Sequence, residues 1–510
     1  MISITLTFFV SFVALFAYLK RRRHLLPPGP SGLPIIGNVW DIPKSFEWLA
    51  YDKWNRESDS DIIHLRIFGA SIIVINSAKA ANELLNKRST LYSDREDMVM
   101  LLDLVGWRRH LAFMRYGDTW RCHRRLFHQY FHPAAVHAYR SKSAEEVKKL
   151  LPRLLSEPDD FMKHIRTMTG SIILGITFGM ELLPENDPYV TLAEKALHAM
   201  AEVGNVGSYM VDYLPWLQYL PPWVPGAGFK RQAAEWNKTV VAMYEKPFQS
   251  VKQAMALGKA PPSIITTMLE KLNPEEENAG RESMIRNVTV TAYAAGADTT
   301  VSSLGTFILA MLLYPDVQRR AQEEVEQVVE TGRFPGYEDK ESLPYVVAVM
   351  KETLRWHPVA PLGVPHKLRA DDEYNGYYLP AGSIVVGNSW AILHDEKTYP
   401  NPKKFDPTRF LTPAGELAKG APDVEAAFGF GRRICPGRYF AMESMWIAMA
   451  CVLATLNVEK AVDEAGNVIE PSGEYTSGLI SYPVFFKASF KPRSAAALAL
   501  IQSSTSLEQE

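Results

Sequence analysis

The 510-residue chain is 47% hydrophobic and 22% charged, with a formal net charge of −2. Neither sign dominates, so nucleic acid is not implied, and the composition is globular with ample core. Its three cysteines are odd in number and widely spaced; they make no disulfide framework and fit a reducing compartment. Length alone suggests two to four domains. No composition break interrupts residues 46–490, however, so one large domain is expected over 46–493.

The N-terminal run Met1–Leu19 is uncharged and is followed at once by Lys20-Arg-Arg-Arg23. Nineteen helical residues span roughly 28 Å, close to the ~30 Å hydrocarbon core of a bilayer. The basic cluster is expected on the cytosolic side, leaving the body of the chain cytosolic. A cleaved signal peptide would want a basic start and a small-residue cleavage site, and neither precedes the cluster. Residues 20–45 then read as basic cluster and stiff hinge, since 25–38 hold four prolines and three glycines.

β-branched runs at Ile62–Phe68 and Ser71–Asn76, split at Gly69, predict a hairpin. A helix is expected from Ser77, and most of the chain to about residue 360 reads as helical. Strands return at Glu373–Tyr378, Ser383–Val386 and Gly478–Phe490, and residues 494–510 read as a flexible tail. The expected fold is mainly α with a small β region.

Four stretches carry candidate chemistry. Trp120 and Arg124 are four apart and share a helix face, where an indole N–H and a guanidinium could neutralise a buried carboxylate. An amphipathic surface helix anchored by Trp120 is the plain alternative. A long apolar helix is expected over Ser283–Leu313, with Arg286 and Asp298 its only charges. Asp298 in mid-run, beside Gly296, Thr299 and Thr300 and without a basic flank, argues against a second membrane span. A threonine hydroxyl there can bond the preceding turn or turn toward a ligand. The helix at Lys351–Pro358 sets Glu352 and Arg355 on one apolar-flanked face, with a second arginine, Arg409, following in Phe405–Phe410. Such a pair, if buried, persists only with further partners.

The fourth stretch is Phe428-Gly-Phe-Gly-Arg-Arg-Ile-Cys435-Pro-Gly-Arg. Gly429, Gly431 and Gly437 permit tight turning and close approach to something flat. Arg432, Arg433 and Arg438, with the start of a following helix, are expected to favour the thiolate of Cys435. An ordinary buried cysteine in a glycine-rich turn is the bland alternative. The spacing Phe428, Gly431, Arg433, Cys435, Gly437 resembles the haem-binding loop of the cytochrome P450 family of haem-thiolate monooxygenases. In that family the axial sulfur pushes electron density toward O–O cleavage.

The resemblance covers roughly residues 25–490 and is greatest to fungal microsomal members. It implies haem ligated by Cys435, with Trp120, Arg124, His366 and Arg433 toward its propionates and Phe428, Gly431 and Gly437 shaping the loop. Ala295–Thr300 is similar to the family's oxygen-activation motif, which implies that Gly296 leaves room over the iron and that Asp298 and Thr299 relay protons. Glu352, Arg355 and Arg409 resemble a structural motif fixing the haem loop. Family topology places pocket walls near 98–114, 205–225, 290–300, 359–364 and 476–481. An apolar substrate is expected, with electrons from NADPH through a separate flavoprotein reductase, because no G-x-G-x-x-G follows a strand here. Arg121, Arg125 and Arg432 are candidates to dock that partner. The implied location is the endoplasmic reticulum membrane, and the aromatic segment Tyr209–Val224 could dip into it. A haem-thiolate isomerase or dehydratase, and a non-catalytic haem carrier, are the other classes; neither gives Asp298 and Thr299 a task.

Overall fold

The computed structural model of the protein describes residues 25–183, 187–204, 209–273 and 275–506. The expected membrane segment Met1–Leu19 and basic run Lys20–Arg23 lie outside them.

The helices that position the site are α1 (Asp118–Phe131), α2 (Phe161–Phe178), α3 (Pro188–Val203), α4 (Ala279–Leu313), α5 (Pro344–Trp356), α6 (Arg438–Thr455) and α7 (Ala495–Ser506). α4 crosses the body, and at 35 residues it is roughly 52 Å long. It starts four residues earlier than its apolar run suggests. Arg281 and Glu282 therefore belong to it, and Arg286 and Asp298 are not its only charges. Glu282 is held there by Lys252 at 2.8 Å. The most apolar stretch of α4 is 78% buried within the protein, which makes it a core helix rather than a span. It packs along α2 and against α1, α3, α5 and α6.

The hairpin falls where expected, as β1 (Ile62–Ile67) and β2 (Ala70–Ile75), with Ile62 opposite Ile75. Three later or shorter strands complete its sheet: β3 (Asp94–Arg95), β4 (His366–Lys367) and β7 (Ile384–Gly387), in the order β1-β2-β7-β4-β3. Strand β2 runs parallel to β7; the other pairs are antiparallel. β5 (Asp372–Tyr374) and β6 (Tyr377–Leu379) form a separate hairpin with Asn375 and Gly376 at positive φ. The register of β3 on β4 sets Arg95 opposite His366.

Two C-terminal expectations fail. Only Ala488–Pro492 forms a strand (β9), paired with β8 (Leu456–Lys460). Residues 476–482 instead close a tight loop, with Thr476 N–H on the Tyr482 carbonyl at 2.7 Å and Tyr482 N–H on Thr476 Oγ1 at 2.9 Å. Gly478 (φ 146°) and Pro483 interrupt the β-branched pattern there. The supposed flexible tail is α7 through Ser506. Ser494 caps it by accepting the Ala497 N–H at 3.1 Å, and Ile501 is buried in the main core. Its Ala-rich sequence is a strong helix former, which outweighs its terminal position.

Candidate active site

Cys435 lies between a 3-10 turn (Gly431–Arg433) and α6, so the loop-to-helix placement expected of it is present. Its N–H donates to the Phe428 carbonyl at 2.8 Å, closing the loop on itself. Gly431 has to be glycine: φ is 55°, and a Cβ would stand 2.0 Å from the Leu85 carbonyl oxygen. Gly437 has an ordinary φ of −91°, and nothing lies within 4 Å of where its Cβ would be. Its service is open space beside the sulfur rather than a turn.

The sulfur's electrostatics differ from the sequence expectation. Burial pushes the Cys435 thiol up, while the N–H groups of Gly437 and Arg438 and the guanidiniums of Arg124 and Arg438 pull it back. Arg432 and Arg433 are engaged elsewhere. Arg432 binds Ser89 Oγ (3.2 Å) and the Tyr116 hydroxyl, and Arg433 binds the carbonyls of Ser93 and Met114, both at 2.7 Å. Without a metal on the sulfur, desolvation outweighs the positive charge.

Beside this loop stands a group of cations, of which Arg95 and Arg433 are buried and Arg124 is half-buried. On α1, Trp120 is buried and Arg124 Nη2 donates to the Ile434 carbonyl at 2.8 Å. The Arg433 guanidinium lies 4.3 Å from the Trp120 ring centroid, a cation–π distance. Arg95 donates to the carbonyls of Ala112 (2.8 Å) and Pro365 (2.7 Å). Burial drives Arg124 down to about 10, Arg433 to about 9 and Arg95 well below its usual range, and Arg433 adds to the shift of Arg95. None of the three has a carboxylate within ion-pair distance among the described residues. The Trp120 N–H likewise has no protein acceptor among them. Asp94 offsets Arg95 and Arg433, and Cys435 offsets Arg124, only in part, so the excess of positive charge suits an anion from outside the chain.

His366 gives its Nδ1 proton to the Tyr92 carbonyl at 2.7 Å. Burial and the charges of Arg95 and Arg433 hold the ring neutral, so Nε2 has a proton to offer only if an anion draws one onto it. Arg95 escaped the sequence reading, because Asp94-Arg-Glu-Asp97 looks like a solvated charged turn. Only the two-residue pairing of β3 with β4 turns it inward.

Along α4, Ala295, Gly296 and Thr299 are exposed or half-exposed amid buried neighbours. Thr299 Oγ1 donates to the Ala295 carbonyl at 2.7 Å, the back-bonded resting state expected of it. The helix stays continuous through Gly296, the residue the resemblance implies leaves room over the iron. A Cβ there would stand 2.9 Å from Ile173 Cγ1, so this glycine serves the close approach of α2. Asp298 does not face Thr299. Its Oδ1 accepts from Arg166 Nη2 at 3.3 Å and its Oδ2 from the Tyr482 hydroxyl.

Glu352 and Arg355 are fully buried and paired twice, at 2.6 and 2.9 Å. Arg355 also donates to the carbonyls of Leu393 (2.9 Å) and Pro402 (2.8 Å), and Glu352 accepts the Asp406 N–H at 2.8 Å. Arg409 Nε lies 3.4 Å from Glu352 Oε1, but it is misaligned for a hydrogen bond, and its Nη2 holds the Asn401 carbonyl at 2.8 Å. The cluster fastens segment 393–409 to α5. Of the candidate docking arginines, Arg121 is taken by Asp118 and Arg432 by Ser89 and Tyr116, while Arg125 is exposed with no ion pair among the described residues.

A cysteine at a loop-to-helix junction beside desolvated arginines, together with a core helix partly exposed at Thr299, is the arrangement of a haem-thiolate oxygenase. The chain belongs to the cytochrome P450 family, whose model matches residues 27–482. It is 43% identical over 487 residues to cytochrome P450 monooxygenase 98 of Postia placenta, covering 95% of this chain and 94% of the relative. Cytochrome P450 monooxygenase ple1 of Rhodocybe pseudopiperita is also 43% identical, over 484 residues, at 95% and 92% coverage. Tryptamine 4-monooxygenase of Psilocybe cyanescens is 39% identical over 476 residues, at 92% and 94%. The protein is thus a monooxygenase whose cofactor is haem on a cysteine thiolate. The incompletely compensated cations and the open space at Gly437 fit that group.

In haem-free protein, the pH–rate profile for alkylation of Cys435, followed by peptide mapping, should have its midpoint above that of a free cysteine. The folded chain then holds this proton more tightly than the unfolded one, so haem-free protein loses stability as pH rises through and beyond the ordinary thiol range. A midpoint below free cysteine contradicts the burial argument. Glu352→Ala or Arg355→Ala strands a buried charge at a cost of roughly 3–5 kcal/mol and should yield protein without haem. Haem-replete variants by absorbance would show that the pair does not support the loop.

Proposed function

We propose that the protein inserts one atom of O2 into an apolar small molecule. The substrate is a terpenoid or other secondary metabolite, or an aromatic xenobiotic such as a polycyclic hydrocarbon. The second oxygen atom leaves as water, using two electrons from NADPH delivered by a flavoprotein reductase. The observation that carries this reading is the exposure of Ala295, Gly296 and Thr299 on a continuous α4 whose neighbouring residues, 287–294 and 300–312, are buried.

Haem, when bound, supplies the activation of O2. Cys435 would hold its iron, and Trp120, Arg95, Arg124 and Arg433 would neutralise its propionates, with His366 joining once protonated. Phe428 and Gly431 fix the loop, and Gly437 leaves the space beside the sulfur. Thr299 can release the Ala295 carbonyl and turn its hydroxyl toward the open side, passing a proton there. Asp298 would be the acid behind it. Because Arg166 and Tyr482 already occupy its oxygens, it is a poor counter-ion for a cationic substrate, which favours a neutral one over the amine in the name of the Psilocybe relative.

The site is proposed to work at the endoplasmic reticulum membrane, anchored through residues 1–19. Ile35, Trp40, Trp216, Tyr219 and Trp223 are exposed, and their segments meet where Phe68 N–H binds the Ile36 carbonyl at 3.2 Å and its ring lies 6.4 Å from Tyr213. Aromatic side chains of this kind favour the headgroup region. Of Arg121, Arg125 and Arg432, Arg125 is the one without an ion pair or side-chain partner among the described residues, and it would meet an acidic reductase face.

Reconstituted with a reductase, the enzyme should turn over only with both NADPH and O2. In Thr299→Ala a larger share of NADPH electrons should appear as hydrogen peroxide and a smaller share as product. Unchanged coupling removes the relay role. Turnover without NADPH or O2 would mark an isomerase or dehydratase instead.

A further inference from the structure

The loop at 476–482 is tied to α4 at two neighbouring points. Ser302 Oγ donates to the Ser481 carbonyl at 2.5 Å, and the Tyr482 hydroxyl donates to Asp298 Oδ2. The same loop puts Leu479 and Ile480 into the apolar cluster that holds Tyr293, Ala294, Val359 and Val364. Ser481 N–H binds the Val359 carbonyl at 2.8 Å, and Leu479 reaches Gly204 at the end of α3. This loop therefore joins the apolar interior to the one carboxylate in the middle of α4.

Successive helix residues project about 100° apart. Asp298 accordingly points toward α2 while Thr299 faces the opening. Its two holds are unequal. Arg166 reaches Oδ1 through both Nη2 (3.3 Å) and Nε (3.4 Å), both long, and makes its shorter contact, 2.9 Å, with the partly exposed Glu194. The tyrosine hydroxyl is the close partner, and a hydrogen bond to a charged acceptor biases its position by a factor on the order of 10 to 100. Beside the carboxylate, Arg166, Glu194 and Asp298 line a cavity of about 10 Å³, room for about one water.

We propose that Tyr482 is a positioning residue that keeps Asp298 turned away from Thr299 until a substrate pressing on Leu479 and Ile480 shifts the loop. Proton supply is thereby linked to pocket filling. Once released, Asp298 takes up a proton from solvent through Glu194 and the adjoining water site and carries it toward Thr299, while Arg166 keeps its charge. The proposal rests on the reading of the chain as an NADPH- and O2-dependent oxygenase.

The test uses haem-loaded full-length protein with reductase and a turned-over substrate. Wild type should show a solvent isotope effect on product formation above one. In Tyr482→Phe it should fall toward unity, with the spectral affinity for substrate changed less than about twofold. Ser302→Ala cuts the loop's other tie but leaves Asp298 held, so it should keep the wild-type isotope effect. In thermal unfolding, Tyr482→Phe combined with Asp298→Asn should lower Tm by less than the sum of the single losses. Additive losses overturn the contact itself. A wild-type isotope effect of one, an unchanged effect in Tyr482→Phe, or the same fall in Ser302→Ala overturns the holding role. Haem-loaded wild type that never oxidises NADPH fails the oxygenase reading and this proposal with it, whereas the melting cycle still reports on the contact.

Discussion

The structure depends on positive charge that the chain buries and does not fully neutralise. Arg95, Arg124 and Arg433 come from β3, α1 and the cysteine loop, three segments distant in sequence; each is desolvated, and none has a carboxylate at ion-pair distance among the described residues, Asp94 offsetting Arg95 and Arg433 only in part. Backbone carbonyls satisfy their donors but leave their charge. A dianionic ligand placed among them would reduce the penalty for all three together. Under the proposed assignment to haem propionates, cofactor binding would then be electrostatically coupled to the cysteine loop. The raised Cys435 thiol belongs to the same economy: the site is poised for a cofactor and is unfavourable without one.

Rigidity on the cysteine side comes from the opposite device, a fully compensated buried pair. Glu352 and Arg355 satisfy one another and then spend their remaining lone pairs and protons on the 393–409 backbone. Such a cluster gives modest stability but a well-defined arrangement. On the oxygen side, the close fit of Gly296 to Ile173 brings α2 against α4, which places Arg166 within reach of Asp298. One helix thus presents a sealed, charged face to α2 and an open face at Thr299.

Much of this was legible in the sequence, because it rests on local spacing. The cysteine loop, the Trp120–Arg124 face, the Glu352–Arg355 pair and the β1–β2 hairpin each follow from residues a few positions apart. What escaped depends on long-range pairing. Arg95 acquires its role from two residues of strand opposite His366, and Tyr482 from a loop more than 180 residues beyond Asp298. Gly296, expected to leave room, packs closely on Ile173, while Gly437, expected to allow tight turning and close approach, has an ordinary φ with open space around it. The Ala-rich end was misjudged because terminal position was weighed above helix propensity.

The central claim is that the sulfur of Cys435 is the ligand around which this charge is arranged. The direct measurement is the absorption of the dithionite-reduced protein under carbon monoxide. A Soret band displaced to the red, as thiolate-ligated ferrous haem gives, is the expected result. A band in the position given by histidine-ligated haem, in protein that has retained its fold and its haem, would contradict the account.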